Sequence, residues 1–506
     1  MNNENTEKQI PSVRRLWFFV FFLAALAFLY LRTFLLPATP LVAFGDEVHY
    51  FIHAVRIMDG QLPYRDFFTF VFPGADLLYA GIFRLLGVSQ WVAQGIVLVL
   101  GLLLTLVITR ISGAIMRGSS VLLPGLLFLV FDFNNFLDAT HHWWSTLFVM
   151  GAVALLARGS GYDRIAGAGV LCGFATLFTQ TQGALGVAAI AFYLVWVHGK
   201  NWRPLVRELS LLIAPFAIIT GSVLSYYASR MGLSTIAYWT VYFPIVYFPT
   251  LKGHKLQAYF IDTPTFHKAS DLVVVLPYLF IHLIVPFVYL FCIFRLIRER
   301  DSMEETLRRK ILLLCLVGLA LFATVMTAAT YLRICVVAPP AVILCVWLLN
   351  GAGRTERKVM AALWMTAIFF VLYLPVRLQL YARYYLDLPT GRAAFVDVAR
   401  FNKLRWFMEH IHPGESIFDE PFVVFSLSLK SPGPLDYVRP AEFTRPEQVD
   451  EQLRSMSIHK TRFVFLYPEL YGHVYDFDNL EPLRRYLAEN YHQVPIDFDG
   501  QVWERN

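Results

Sequence analysis

The sequence predicts a mainly α, polytopic transmembrane helical bundle with external amphipathic helices and a small C-terminal α/β soluble domain. Three observations predict it. Of 506 residues, 57% are hydrophobic and only 16% charged, which is more apolar surface than one soluble core can hide. Apolar runs of membrane-crossing length recur from the N-terminus to about Leu380, most of them punctuated by Gly, Pro, Ser or Thr, as suits helices. From about Arg383 onward charged and apolar segments alternate and hydrophobicity falls, which marks a separate domain. The chain thus divides into a membrane part, 1–380, and a domain over 381–506.

The first run, 16–36, follows Arg14 and Arg15. It is about as long as a bilayer is thick, and no small-x-small cleavage site precedes Asp46, so it reads as an uncleaved anchor. Further runs at 91–109, 120–132, 143–157, 165–180, 183–198, 208–228, 272–296, 311–330, 333–349 and 359–380 bring the expectation to about eleven spans. If the N-terminus is cytoplasmic, alternate loops carry the arginines and lysines: Arg14 and Arg15, Arg110 and Arg117, Arg158 and Arg164, Lys200 to Arg207, Arg295 to Lys310, and Arg354 to Lys358. The positive-inside rule is then satisfied six times in succession. This orientation places 37–90, 132–142, 229–271 and the C-terminal domain outside, in the periplasmic direction of a bacterial inner membrane. The formal charge of +6 is explained by these scattered loops and forms no single basic face, so no nucleic-acid partner is expected. All five cysteines fall in or beside apolar spans, so no disulfide framework is implied.

The first external loop, 37–90, holds the most informative residues. Asp46 and Glu47 stand just past the first span, where two carboxylates at a membrane boundary are costly unless used. Residues 48–60 read as a surface-lying amphipathic helix stopped by Gly60, and a second helix is expected over 75–86. Capping accounts for the acids equally directly: Asp46 as N-cap and Glu47 as a first-turn acid. Arg65 beside Asp66, between the two helices, suits either an exposed ion pair or contact with phosphate or sugar.

Gly45-Asp46-Glu47, then Tyr50, Ala54, Gly60, Pro63-Tyr64-Arg65-Asp66 and Pro73-Gly74, resemble the first loop of the GT-C type polytopic glycosyltransferases. The likeness is greatest to the branch of protein O-mannosyltransferases and aminoarabinose transferases. The motif covers about forty residues, the topology the whole membrane part. The resemblance implies a sugar donor linked to polyprenyl phosphate, a glycan, lipid or protein acceptor with a free hydroxyl, and an inverting displacement. It makes Asp46 the catalytic base and Glu47 the residue that tunes it or holds the acceptor. A divalent ion serves parts of the wider superfamily and is not favoured for this branch, so no metal ligand is assigned.

Other polar groups expected on the same side are candidates for substrate binding. Asp138 and His142 lie in a crowded loop before the span at Trp143, where Asx turns and a helix cap are the plainer account. Adjacent His141 and His142 point different ways on a helix, with no third ligand set by spacing. Arg333 breaks the positive-inside pattern and needs a partner, whether a lipid phosphate, a nearby acid or snorkelling contact with headgroups. In the aromatic loop 229–271, Lys252 and His254 suit a lid over the carrier phosphate or contact with membrane lipid. Rival readings are a lipid or glycolipid transporter or flippase, for which broken helices would speak, and a noncatalytic assembly protein of the cell envelope.

Overall fold

The computed structural model describes residues 12–199, 201–247, 258–351, 353–418, 420–438, 444–466 and 480–506. Helix α1 (Ser12–Thr33) leads through the short strands β1 (Phe34–Leu35) and β2 (Thr39–Pro40) into α2 (Glu47–Met58) and α3 (Gly74–Leu86). Both expected loop helices are present, and Gly60, at φ +88°, ends the first. α4 (Gln90–Ile115) begins at Ser89, whose hydroxyl accepts from Val92 N at 3.2 Å. α5 (Leu123–Leu127) runs into a π-turn over Phe128–Asp132, and α6 (His141–Leu156), α7 (Tyr162–Phe178), α8 (Gln180–His198) and α9 (Trp202–Met231) follow. The short pieces α10 (Leu233–Ala237), α11 (Phe243–Val246) and α12 (Ala258–Ile261) precede α13 (Leu272–Arg298) and α14 (Glu305–Val325). α15 (Tyr331–Val337) and α16 (Pro339–Leu349) meet at a 62° bend, and α17 (Arg354–Tyr381) closes the bundle.

Among the described residues, seven helices are long and apolar enough to cross a membrane, or eight if the bent pair counts as one. The chain is an integral membrane protein of mainly α fold. The expected figure of about eleven counted four runs that take shorter forms. Residues 120–132 break into α5 and the π-turn, while α6 and α7 have 16 and 17 residues. Residues 333–349 bend at Pro339-Pro340, because proline offers no N–H to the preceding turn and crowds it.

Past α17 come a hairpin of β3 (Tyr384–Leu388) and β4 (Gly391–Phe395), then α18 (Val398–His410), capped by Asp397, whose Oδ1 accepts from Ala399 N at 2.9 Å. Strands β5 (Ile417–Phe418), β6 (Phe463–Leu466), β7 (Tyr491–Val494) and β8 (Gln501–Arg505) form a sheet in the order β5-β6-β8-β7, with β5 and β6 parallel and the other pairs antiparallel. α19 (Pro421–Ser426), α20 (Pro446–Ile458) and α21 (Glu481–Asn490) complete the segment. The run over 422–427 has the apolar, partly β-branched composition of a strand, yet all but its last residue belong to helix α19. Pro421 starts the turn, and every residue of α19 is buried, so its β-branched composition reports burial and not a pleat.

α19 covers α2. Phe51 packs against Tyr79, Phe83 and Phe425 with ring centroids 5.0, 5.4 and 5.3 Å away. Eight residues of α2 are buried, Glu47, His53 and Arg56 among them. α2 is thus enclosed between the bundle and the C-terminal segment, a tighter setting than the expected surface-lying helix.

Candidate active site

The site is built where α2 begins. The linker from α1 is fixed by Val42 N donating to the Ala394 carbonyl at 2.9 Å and Ala43 N donating to Gln90 Oε1 at 2.8 Å. Gly45 follows at φ +146°, a conformation that side chains disfavour. A Cβ there would also strike the Glu47 carboxylate and stand 3.5 Å from Asp138 Cβ. Glycine therefore lets two acids close in on the start of α2.

Asp46 occupies the N-cap position at φ −65°, ψ −23°, but its side chain makes no capping hydrogen bond, and it is exposed. The capping account of this residue does not describe it. Glu47 is 1% exposed, and its Oε2 has no hydrogen-bond partner among the described residues. Burial, then the charge of Asp138, then that of Asp46, push its carboxyl well above the usual range. Asp138 is buried too and is pushed up to about 8 by burial and by Asp46, though its Oδ1 accepts from Thr140 N at 3.4 Å. Both shifts favour the neutral forms of Glu47 and Asp138.

A consequence can be measured. A carboxyl raised from 3.8 to about 8 binds its proton in the folded state while the unfolded chain has released it. Stability at this position is full below pH 3.8 and is lost as pH rises through about 8. Asp138→Asn is expected to flatten the decline of the thermal midpoint between these values. A variant whose profile matches that of the wild type would count against this assignment.

On the facing side, the Tyr50 hydroxyl and His141 Nδ1 are 2.7 Å apart, the rings of His141 and His142 are 3.8 Å apart, and Thr179 Oγ1 lies 3.5 Å from His142 Nδ1. Arg333, half-buried on α15, donates to the Ala328 carbonyl at 3.4 Å, and its charge acts on both histidines. The charge of Asp46 reaches Tyr50. The fold thus gathers Asp46, Glu47, Asp138, His142 and Arg333 around the starts of α2, α6 and α15. Among the described residues no group of three His, Cys, Asp or Glu could hold a metal ion.

Arg65 is placed differently. Its Nε and Nη2 donate to the two carboxylate oxygens of Asp66 at 2.9 and 2.7 Å in an exposed fork, the ordinary ion pair. Lys252 and His254 lie outside the described residues.

Sequence reading missed a buried joint beside the site. His53 bridges Asp76 Oδ1 at 3.1 Å and Asp436 Oδ2 at 2.8 Å, and Arg56 Nη1 donates to Asp436 Oδ1 at 3.1 Å. The one signal was His53 and Arg56 three residues apart on a helix face with apolar neighbours. Asp436 gave none, since it stands 383 residues from His53. Gln182 was missed as well: it is 1% exposed, with neither amide atom bonded among the described residues.

No protein-family model and no curated protein matches the chain. Solved structures do. ArnT from Cupriavidus metallidurans bound to undecaprenyl phosphate superposes with a TM-score of 0.61 at 14% identity, covering 96% of this chain and 97% of its own. The apo state of the same protein gives 0.59. The archaeal oligosaccharyltransferase AglB from Archaeoglobus fulgidus, in complex with an inhibitory peptide and a dolichol-phosphate, gives 0.53 at 12% identity over 91% of this chain and 70% of its own. The fold is therefore that of the GT-C type polytopic glycosyltransferases, the type to which the Gly45-Asp46-Glu47 loop pointed.

Proposed function

We propose that the chain is an inverting glycosyltransferase. It takes a sugar from a polyprenyl-phosphate carrier and delivers it to an acceptor hydroxyl of a glycan, lipid or protein, on the outer face of a bacterial inner membrane. The observation that carries this reading is Asp46: an exposed carboxylate at the start of α2, beside two buried carboxyls whose neutral forms its charge favours. Support comes from the fold, shared with an ArnT structure bound to undecaprenyl phosphate.

In this reaction Asp46 takes the acceptor proton as the hydroxyl oxygen bonds to the anomeric carbon and the bond from that carbon to the phosphate oxygen breaks. Glu47 and Asp138, protonated, donate hydrogen bonds to sugar or acceptor oxygens. Arg333 steadies the departing phosphate with its planar fork, next to His142. Arg65, Lys252 and His254 are candidates for the outer contacts of the headgroup. The distribution of basic loops supports a cytoplasmic N-terminus and an extracytoplasmic 381–506.

The test is the envelope glycan profile of a deletion strain. One sugar is expected to disappear while its polyprenyl-linked donor accumulates, and a profile identical to that of the parent strain would sink the proposal. The bend between α15 and α16 favours a second reading, a lipid carrier, because interrupted helices serve transporters. A carrier would move a labelled polyprenyl lipid across vesicle membranes with no acceptor present.

A further inference from the structure

Two arginines at the same end of the bundle as Asp46 take no part in the site above. Arg32, at the end of α1, donates from Nε to Asn134 Oδ1 at 2.8 Å and from Nη1 to the Leu374 carbonyl at 3.3 Å. That carbonyl lies one helical turn before Arg377 on α17, and the two guanidinium charges stand close enough to act on each other. Among the described residues neither has a carboxylate within ion-pair distance. At the opposite end, by contrast, Arg295 is paired with Glu299 at 3.0 Å and Arg309 with Glu305 at 2.7 Å.

Like charges near a membrane boundary repel strongly unless an anion sits with them. The pair cannot drift apart, because Gln379 staples the two helices. Its Nε2 donates to the carbonyls of Leu31 and Phe34 at 3.0 and 2.8 Å, and its Oε1 accepts from Leu36 N at 3.0 Å. Snorkelling suits Arg377, which is exposed, but not Arg32, whose fork is held inward between helices.

An apolar groove of about 430 Å³ opens on α17 alongside α13, lined among others by Val273, Leu276, Met365, Phe369 and Tyr373. Tyr373 is one turn before Arg377. A cationic pair with an open apolar groove beside it suits an amphiphile that carries a phosphate.

We propose that Arg32 and Arg377 hold the headgroup phosphate of an anionic membrane phospholipid, with an acyl chain lying in the groove between α13 and α17. Guanidinium pairs suit phosphate because their N–H groups match its oxygens two at a time. This site is separate from the acid cluster and does not depend on sugar transfer.

The test uses the full chain in detergent, stripped of lipid, as wild type, Arg377→Gln and the double variant Arg32→Gln/Arg377→Gln. Phosphatidylglycerol, phosphatidylcholine, inorganic phosphate and undecaprenyl phosphate are added separately, with thermal unfolding and native mass spectrometry as readouts. Phosphatidylglycerol is expected to raise the wild-type midpoint and remain bound, with binding about tenfold weaker in Arg377→Gln. Equal retention by wild type and Arg377→Gln overturns the proposal. So does a response to inorganic phosphate alone, or to undecaprenyl phosphate alone. Arg377 is exposed, so the single variant decides the matter even if the double variant does not fold.

Discussion

Asp46→Asn is expected to lower sugar transfer by on the order of 10²- to 10⁴-fold, the range for removing a general base, with protein level and membrane insertion unchanged. The change is isosteric at an exposed position whose side chain makes no capping bond. Glu47→Gln provides the contrast. Burial and two neighbouring acids push the Glu47 carboxyl well above its usual range, toward the neutral form, and a neutral amide of the same shape should replace it with little loss. Transfer from a labelled polyprenyl-phosphate sugar separates the two variants: kcat should collapse in the first and change only a few-fold in the second. Full activity in Asp46→Asn would remove the catalytic assignment, while loss of activity in both would move the base to Glu47.

The second large effect is expected at Asp436. Replacing it by Ala leaves His53 and Arg56 buried without their shared carboxylate, which for a broken buried pair costs about 3–5 kcal/mol. The lower end applies, since Asp76 still holds His53, and Gln61 and the Asp66 carbonyl still accept from Arg56. Asp436→Asn, which keeps an acceptor in place, should lose less. Burial alone would lower the His53 pKa, but Asp76 and Asp436 outweigh it and hold the imidazole at about 9. Its contribution is therefore complete below pH 6.5 and lost as pH rises through about 9. Burial would raise the Asp436 carboxyl, yet His53 and Arg56 keep it below the usual range, so its share is present above pH 3.8 and lost in stronger acid. Denaturation profiles of the wild type should show both edges. In Asp436→Ala the alkaline edge should weaken.

How much of this could be read from the residues follows from the distance over which each interaction acts. The membrane helices were legible because hydrophobicity and length are local properties. The α2 helix was legible because its apolar spacing and the stop at Gly60 lie within fifteen residues. The bend at Pro339-Pro340 was visible as a proline pair but not as a change of direction, since only packing decides whether such a helix breaks or continues. The strand-like run at 422–427 failed because burial on all sides and a pleated surface favour the same residues. At the site, Asp46 and Glu47 stood out by their position after a span. The Arg65–Asp66 ion pair was likewise legible, since its partners are neighbours in the chain. What the sequence could not show is that Asp138 crowds Asp46 and Glu47 or that His53 meets Asp436, because each depends on chain segments brought together only by folding.

The segment before Asp46 is sewn to residues that come three hundred or more positions later: Val42 directly to Ala394, and Ala43 by way of Gln90, which bonds both Thr390 and Ser426. The C-terminal part is consequently a brace for the loop that leads to Asp46 and not an appendage to the bundle. Cutting the chain after Tyr381 would unmoor the corner from which Asp46 projects.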